Sequence, residues 1–266
     1  MRIIITGSSS GIGRAAATAL AALGHDIAVV GRSRARVEEV AREVNGDPFV
    51  ADFDSIAEVR KLAAELLDKY PRIDALANNA GGVIDKRAIT PDGFERTWQS
   101  NVLAPFVLTQ MLLPRLLESN ATVVFTSSVA QKFGTVDVTD PNSTGGVWLR
   151  GFSAYGQAKR ADAMLAKELA RRTPLSTYSF HPGGVATRFA GLDQSPVSGL
   201  VRRFMRTPEE GAALLVRLLT EEVHAASGSY FTAWDKPDKG LVSQALDPSE
   251  GAKLWELLER ESAQHP

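Results

Sequence analysis

Short apolar runs alternate along the chain with longer stretches in which apolar residues recur every three or four positions. The runs predict strands at 2–6, 26–30, 48–51, 73–78, 122–126, 175–180 and 229–231. The helix-period segments lie at 11–23, 33–44, 55–70, 92–118, 153–172 and 208–219, with a last helix at 254–261. Strand–helix alternation predicts βαβ units, hence an α/β fold with a mainly parallel sheet and helices on both faces. Runs such as Ile3-Ile4-Ile5 and Ile27-Ala28-Val29-Val30 are apolar at every position, as strands buried on both sides are. Right-handed crossovers make the sheet doubly wound, and its ligand crevice then lies beyond the carboxyl ends of the strands. Function is therefore to be sought just after each strand. No linker or repeat divides the sequence, so 1–266 is expected to form one domain.

Composition changes this picture mainly by exclusion. Hydrophobic residues make up 44% and charged residues 23%, an ordinary globular balance. A formal net charge of -1 gives no electrostatic footprint for nucleic acid or an anionic membrane. The lack of cysteine removes disulfides, thiolate metal sites and thiol nucleophiles. It also fits a reducing compartment, so a cytoplasmic location is expected. The run at 3–5 is too short for a signal segment. The longest apolar tract, 102–117, is broken by Pro105, Gln110, Pro114 and Arg115. It falls short of the roughly 20 apolar residues that a spanning helix needs. His25, His181, His224 and His265 share no ligand spacing, so no metal site is expected.

The first strand runs into Thr6-Gly7-Ser8-Ser9-Ser10-Gly11-Ile12-Gly13, and a helix follows. Gly7 permits a tight turn, while Gly11 and Gly13 let backbone come close to a ligand. The new helix offers free N–H groups and a positive dipole end to a pyrophosphate. Such a glycine triplet is also an ordinary loop and cap. Between a strand and a helix, at the start of a βαβ unit, it points to a dinucleotide cofactor. The second strand ends in Val30-Gly31-Arg32-Ser33-Arg34. An NAD site would place a carboxylate there, whereas Arg32 suits a 2′-phosphate, with Arg14 able to assist. NADP(H) is thus favoured and NAD(H) stays open. The bland alternative is that Arg32 and Arg34 are solvated charges.

The spacing TGSSSGIG, the Asn78-Asn79-Ala80-Gly81 run after the fourth strand and the stretch around Tyr155 resemble the short-chain dehydrogenase/reductase family. The later His181-Pro182-Gly183-Gly184-Val185-Ala186-Thr187 does too, and the retinol-dehydrogenase-like branch fits best. The resemblance runs over nearly the whole chain and implies a single Rossmann-type domain. Relatives active on retinoids often begin with a membrane anchor. This sequence begins at its first strand, which argues against carrying retinoid specificity across.

Tyr155 and Lys159 stand four residues apart in a helical segment, so they share a face. Carbonyl reduction needs a proton donor, and a free phenol of pKa about 10 holds its proton too tightly at neutral pH. A neighbouring ammonium favours the phenolate and lowers that value. Alone, the pair reads better as a core tyrosine and a surface lysine, because such a spacing often occurs by chance. With the glycine turn upstream, it reads as a general acid/base. By resemblance, Ser128 rather than Ser127 orients the substrate oxygen, and Asn101 holds a water in a proton relay from Lys159. Asn101 reads otherwise as an exposed residue or a kink before Pro105. The resemblance also gives cofactor contacts to Gly7, Ser9, Ser10, Gly11, Ile12 and Gly13, and to Arg32, Asp52, Asn79, Ala80 and Gly81. Tyr155, Lys159, Pro182, Gly183, Val185 and Thr187 complete that set. His181 is read as structural.

The family further implies a substrate lid at about 188–206 and a homodimer or homotetramer built on the helices 92–118 and 153–172. A long loop, 131–152, lies beside the site and is expected to shape its pocket. The expected function is NADP(H)-dependent interconversion of an alcohol and a carbonyl of unspecified identity. The alternatives are a catalytically silent NADP(H)-binding regulator and an epimerase or dehydratase of the same fold. The regulator would usually lack the tyrosine or lysine; the epimerase or dehydratase would more often read TGxxGxxG and run longer.

Overall fold

The computed structural model describes residues 1–145, 148–185 and 206–264. The strands are β1 (Arg2–Thr6), β2 (Asp26–Gly31), β3 (Asp47–Val50), β4 (Ala75–Asn78), β5 (Thr122–Thr126), β6 (Ser176–Phe180) and β7 (Tyr230–Phe231). They form one seven-stranded parallel sheet in the order β3-β2-β1-β4-β5-β6-β7. The order reverses between β1 and β4, which opens the ligand crevice at their carboxyl ends. Pro48 is tolerated in β3 because that strand lies at the sheet edge.

The helices are α1 (Gly11–Ala22), α2 (Arg34–Glu43), α3 (Ile56–Lys69), α4 (Arg96–Trp98), α5 (Ala104–Glu118), α6 (Phe152–Arg172), α7 (Pro208–Thr220), α8 (Ser243–Leu246) and α9 (Pro248–Ala263). Alternate strand residues feed two cores. Ile3, Ile5 and Val29 meet Leu20 of α1, Val37 of α2 and Leu215 of α7 on one face. Ile4, Val30 and Val123 meet Leu62 of α3, Leu112 of α5, Leu165 of α6 and Leu258 of α9 on the other. That is the doubly wound Rossmann-type architecture which the apolar runs predict.

Local chemistry sets the helix starts. Thr207 and Glu210 form a reciprocal capping box on α7, with Pro208 in its first turn. The expected helix at 92–118 begins instead at Arg96, because a turn at Gly93 precedes it and the Glu95 carboxylate accepts from the Thr97 and Trp98 N–H groups. It then passes through a π-turn, Gln99–Leu103. Pro105 has no N–H to give the Asn101 carbonyl, which removes one α-helical bond at that point. The last helix starts six residues before the expected 254, at Pro248, where Asp247 caps Ser249. Its helix-breaking start, Pro-Ser-Glu-Gly, hides it from periodicity.

α9 packs along α6 and the start of α5. Trp255 meets Phe106 edge-on at 5.0 Å, and Trp98 donates to Glu261 at 2.9 Å. Within one chain α9 therefore covers part of the helix pair that the family resemblance gives to a dimer interface. Among the described residues, no helix is long and apolar enough to cross a membrane. Nor do these residues hold a group of three or more histidines and carboxylates able to bind a metal ion.

Candidate active site

The turn after β1 is built by what is missing. Gly7 has φ +68°, and a Cβ there would lie 2.8 Å from the Ala80 Cα. A Cβ on Gly13 would lie 2.5 Å from the Gly7 carbonyl oxygen and 2.6 Å from the Asn79 Nδ2. Neither position accepts a side chain without moving backbone. Ser8 is buried; its hydroxyl donates to Ile5 O at 2.7 Å and accepts from Val30 N at 3.0 Å. Ser9, Ser10, Gly11 and Ile12 then carry the chain into α1, with Ser10 as N-cap.

The end of β2 faces this turn. A Cβ on Gly31 would sit 2.8 Å from the Ser9 Oγ, so Ser9 and the residues just after β2 are neighbours. Arg32 is exposed there. Arg14 pairs with α2 here. α2 has taken its guanidinium, which donates to the two Glu43 oxygens at 2.6 and 2.8 Å and lies 3.3 Å from Glu39. Asp52, just after β3, bonds backbone through its carboxylate, accepting from Asp54 N at 3.1 Å.

β4 ends at Asn78, whose side chain donates to the Thr109 hydroxyl of α5 at 2.9 Å, and Asn79 just after it ties strands together. Asn79 Nδ2 donates to Thr6 O at 2.9 Å, and its Oδ1 accepts from the Thr126 hydroxyl at 3.2 Å. The Thr6 hydroxyl accepts from the N–H groups of Asn79 and Ala80. The Asn79 side chain is thus a strut between β1 and β5. Asn101 performs a similar task from the π-turn. Its Oδ1 accepts from Gly82 N at 3.0 Å and its Nδ2 donates to Thr97 O at 2.9 Å. A Cβ on Gly81 would lie 2.3 Å from that Oδ1 and 3.5 Å from the Lys159 Nζ. Glycine turn, β4 loop, Asn101 and Lys159 therefore form one continuous packed surface.

The candidate reacting side chains lie just after β5 and on α6. Ser127 is buried; its hydroxyl donates to the Lys159 carbonyl, and its N–H to Phe180 O at 2.8 Å. Ser128 turns the other way and hydrogen-bonds the Tyr155 side chain, while its Oγ also accepts from Ala130 N at 3.2 Å. This geometry separates the two serines, and Ser128 is the one beside the phenol. Lys159 Nζ lies 5.4 Å from the centre of the Tyr155 ring.

The electrostatics differ from the sequence expectation. Burial pushes the Tyr155 phenol well above its usual value and the Asp162 carboxylate adds to this, against the Ser128 hydrogen bond. The expected lowering by Lys159 is not seen in the protein alone, because the ammonium is spent elsewhere. It donates to Asp162 Oδ2 at 2.8 Å and to Thr126 O at 2.9 Å. Burial raises the Asp162 pKa to about 6, despite the pull of Lys159. Asp162 was not singled out from sequence, yet its i, i+3 spacing from Lys159 carries the signal.

After β6, Pro182 is buried and Gly183 has φ +92°, with the Arg206 side chain against it. Val185 is buried, and a Cβ on Gly211 of α7 would lie 2.6 Å from its Cγ2 and 3.3 Å from Ile12. Thr187 and all of the 188–206 lid except Arg206 lie outside the described residues. His181 lacks a side-chain partner at Nδ1 among the described residues, and burial with the Arg206 charge takes its pKa down to about 4. It is neutral at neutral pH.

The 131–152 loop encloses a cavity of about 210 Å³ lined by Phe133, Trp148, Ser153 and Gln157 among others. Ser153 and Gln157 share a face of α6 that is turned away from Tyr155 and Lys159. The cavity therefore opens on a different face of α6 from the one that carries Tyr155 and Lys159. Exposed Val129 and Phe152 stand closer to that pair, beside Ser128 and about one turn before Tyr155.

The glycine cradle, the Ser9–Arg32 corner and the Gly81 approach fit a dinucleotide whose phosphates lie on the turn. Comparison with known proteins agrees. The model of the family described as short chain dehydrogenase matches residues 1–195. A chain of Streptomyces sp. (strain C5), assigned as a daunorubicin C-13 ketoreductase, is 39% identical over 96% of this chain and 90% of its own length. Human retinol dehydrogenase 14 is 35% identical over 97% of this chain and 84% of its own. A crystal structure from Shigella flexneri 2a str. 301, of a chain assigned as a short chain dehydrogenase and complexed with NADP, superposes with a TM-score of 0.69. Its identity is 27%, over 87% of this chain and 95% of its own.

Proposed function

The chain belongs to the short-chain dehydrogenase family and is an NAD(P)-dependent oxidoreductase, and from that premise we propose that it interconverts an alcohol and a carbonyl with NADP(H) as the preferred cofactor. One observation carries the proposal. Ser128, Tyr155 and Lys159 meet at the carboxyl end of β5, on the surface continuous with the glycine turn.

The nicotinamide, when bound, supplies the hydride in reduction and accepts it in oxidation. In reduction Tyr155 would give its proton to the carbonyl oxygen, which takes up the π pair as the carbon is reduced. In oxidation Tyr155 takes the proton back. Ser128 hydrogen-bonds the same oxygen and stabilises the charge that develops on it. Lys159 has three N–H donors, and the protein takes two of them. The third would hold the nicotinamide ribose, and Asn101 would close a proton relay behind it. Gly7, Ser10, Gly11, Ile12 and Gly13 would receive the pyrophosphate, and Ser9 with Arg32 the 2′-phosphate. Asp52 would meet the adenine and Asn79, Ala80 and Gly81 the adjoining ribose. Pro182, Gly183, Val185 and Thr187 would wrap the nicotinamide. Exposed Val129 and Phe152 suit a carbonyl carried on an apolar body.

The test mixes the purified protein with NADPH or NADH and a panel of apolar aldehydes and ketones. Loss of reduced-cofactor absorbance is followed, and cofactor binding is read from tryptophan quenching. Turnover with NADPH, faster than with NADH, is expected. Binding of neither nucleotide would end the proposal.

A further inference from the structure

Lys159 and Asp162 are each 4% exposed at the side chain, one helical turn apart on α6. Their ion pair spans 2.8 Å, and the Thr126 carbonyl accepts from the same ammonium at 2.9 Å. A buried ion pair is a weak way to hold a helix, because desolvating both charges offsets most of their attraction. Its position gives it another use. The ammonium lies 5.4 Å from the Tyr155 ring centre, so whatever neutralises it changes the field on the phenol.

We propose that Asp162 is a positioning residue for proton transfer: by pairing with Lys159 and drawing it onto the β5 carbonyl, it offsets the ammonium's charge at Tyr155 and keeps the phenol protonated, ready to give its proton to a carbonyl oxygen. The inference rests on the reading of Tyr155 as the acid/base. Among the described residues, the titratable groups facing the phenol are Lys159 and Asp162 from its own helix and Tyr230 from β7. The Tyr230 phenol is itself pushed up by burial and remains neutral. Burial pushes the phenol up first, and the charge that acts on it beyond burial comes from the α6 pair. With Asp162 charged, the pair is close to neutral and the field that would strip the phenol is small. With Asp162 neutral, the ammonium stands unopposed and favours the phenolate. The site as built is thus set for reduction around neutral pH. Oxidation, which needs the phenolate to accept a proton, is confined to higher pH.

The experiment titrates phenolate absorbance in four proteins: wild type, Tyr155→Phe, Asp162→Asn and the double variant. Subtracting each Tyr155→Phe partner isolates Tyr155 from the other tyrosines and needs neither substrate nor cofactor. Asparagine keeps the shape and an oxygen for the Lys159 ammonium. Asp162→Asn should move the Tyr155 titration at least about one pH unit downward, a tenfold change in proton affinity. The acid limb of alcohol oxidation should move the same way in the pH profile of kcat, with NADPH affinity held. A purely structural Asp162 would lower stability and leave both limbs in place. An unmoved or raised titration, including one that waits for unfolding in both proteins, overturns the proposal. If Asp162→Asn does not fold, Asp162→Ser must give the same downward shift. Retained turnover in Tyr155→Phe would sink the acid/base reading instead, and the titration would still decide the effect of Asp162 on the phenol.

Discussion

On the β1–β2 side of the crevice, a Cβ at Gly13 would lie 2.5 Å from a backbone oxygen, and function depends on leaving that space empty. On the β5–α6 side the site is crowded with side chains whose charges and hydroxyls answer one another: Ser128 with Tyr155, and Lys159 with Asp162 and Thr126. The first region is backbone geometry, which one residue type can specify. The second is electrostatics, which depends on every partner present. A change on the first side should act by displacement and on cofactor binding. A change on the second should act by uncovering charge, on stability and pH dependence.

The largest expected effect comes from Lys159→Ala. It strands the Asp162 carboxylate in a buried site, which costs about 3–5 kcal/mol. Chemical unfolding should show that loss at neutral pH and a smaller one at acid pH, where Asp162 is protonated. An equal loss at both would break the comparison.

Next comes Glu261→Gln on α9, which supports α6. Burial raises the Glu261 pKa to about 7. A carboxyl whose folded value is raised contributes stability that is present below its unfolded value and is lost as pH rises through the folded one. The wild type should therefore weaken between about pH 4.5 and 7 through this group. Glutamine keeps an acceptor for Trp98 and should gain about 1–3 kcal/mol above pH 7 but little at acid pH, read from thermal melts. The opposite sign holds at the start of β3. Burial raises Asp47, but hydrogen bonds from Lys69 and Tyr70 and the nearby cations outweigh it and leave it lowered, so its contribution fades as pH falls.

On the glycine side, Gly13→Ala forces backbone apart and should cost about 1–3 kcal/mol. It should weaken NADPH binding while leaving the Tyr155 titration where it was. Arg32→Ala should be the mildest. Loss of one exposed phosphate contact should narrow the NADPH-over-NADH preference about tenfold, roughly 1.4 kcal/mol, with melting unchanged. Preference retained in full would remove Arg32 from the cofactor corner.

These differences also explain what could be read from the chain beforehand. Ile3-Ile4-Ile5 and the glycine turn announce themselves because burial on two faces and an absent Cβ leave compositional marks. Tyr155 and Lys159 declare a shared face through their spacing. What stayed hidden depends on partners distant in sequence or on competing charges. Arg14 reads as a free cation until α2 brings Glu43 to it. Lys159 reads as a lever on Tyr155 until Asp162 takes its charge. The π-turn at Asn101 is foreshadowed only by Pro105. Sequence also does not say that the cavity of the 131–152 loop opens on the Ser153–Gln157 face of α6 while its last residue, Phe152, stands near Tyr155.

The claim that one region binds and the other reacts is tested most directly on a single protein, Tyr155→Phe, by measuring NADPH affinity from tryptophan quenching and carbonyl turnover on the same preparation. The account predicts affinity close to wild type with turnover reduced about 10²-fold or more, the scale of a lost general acid. Turnover near the wild-type rate would contradict it.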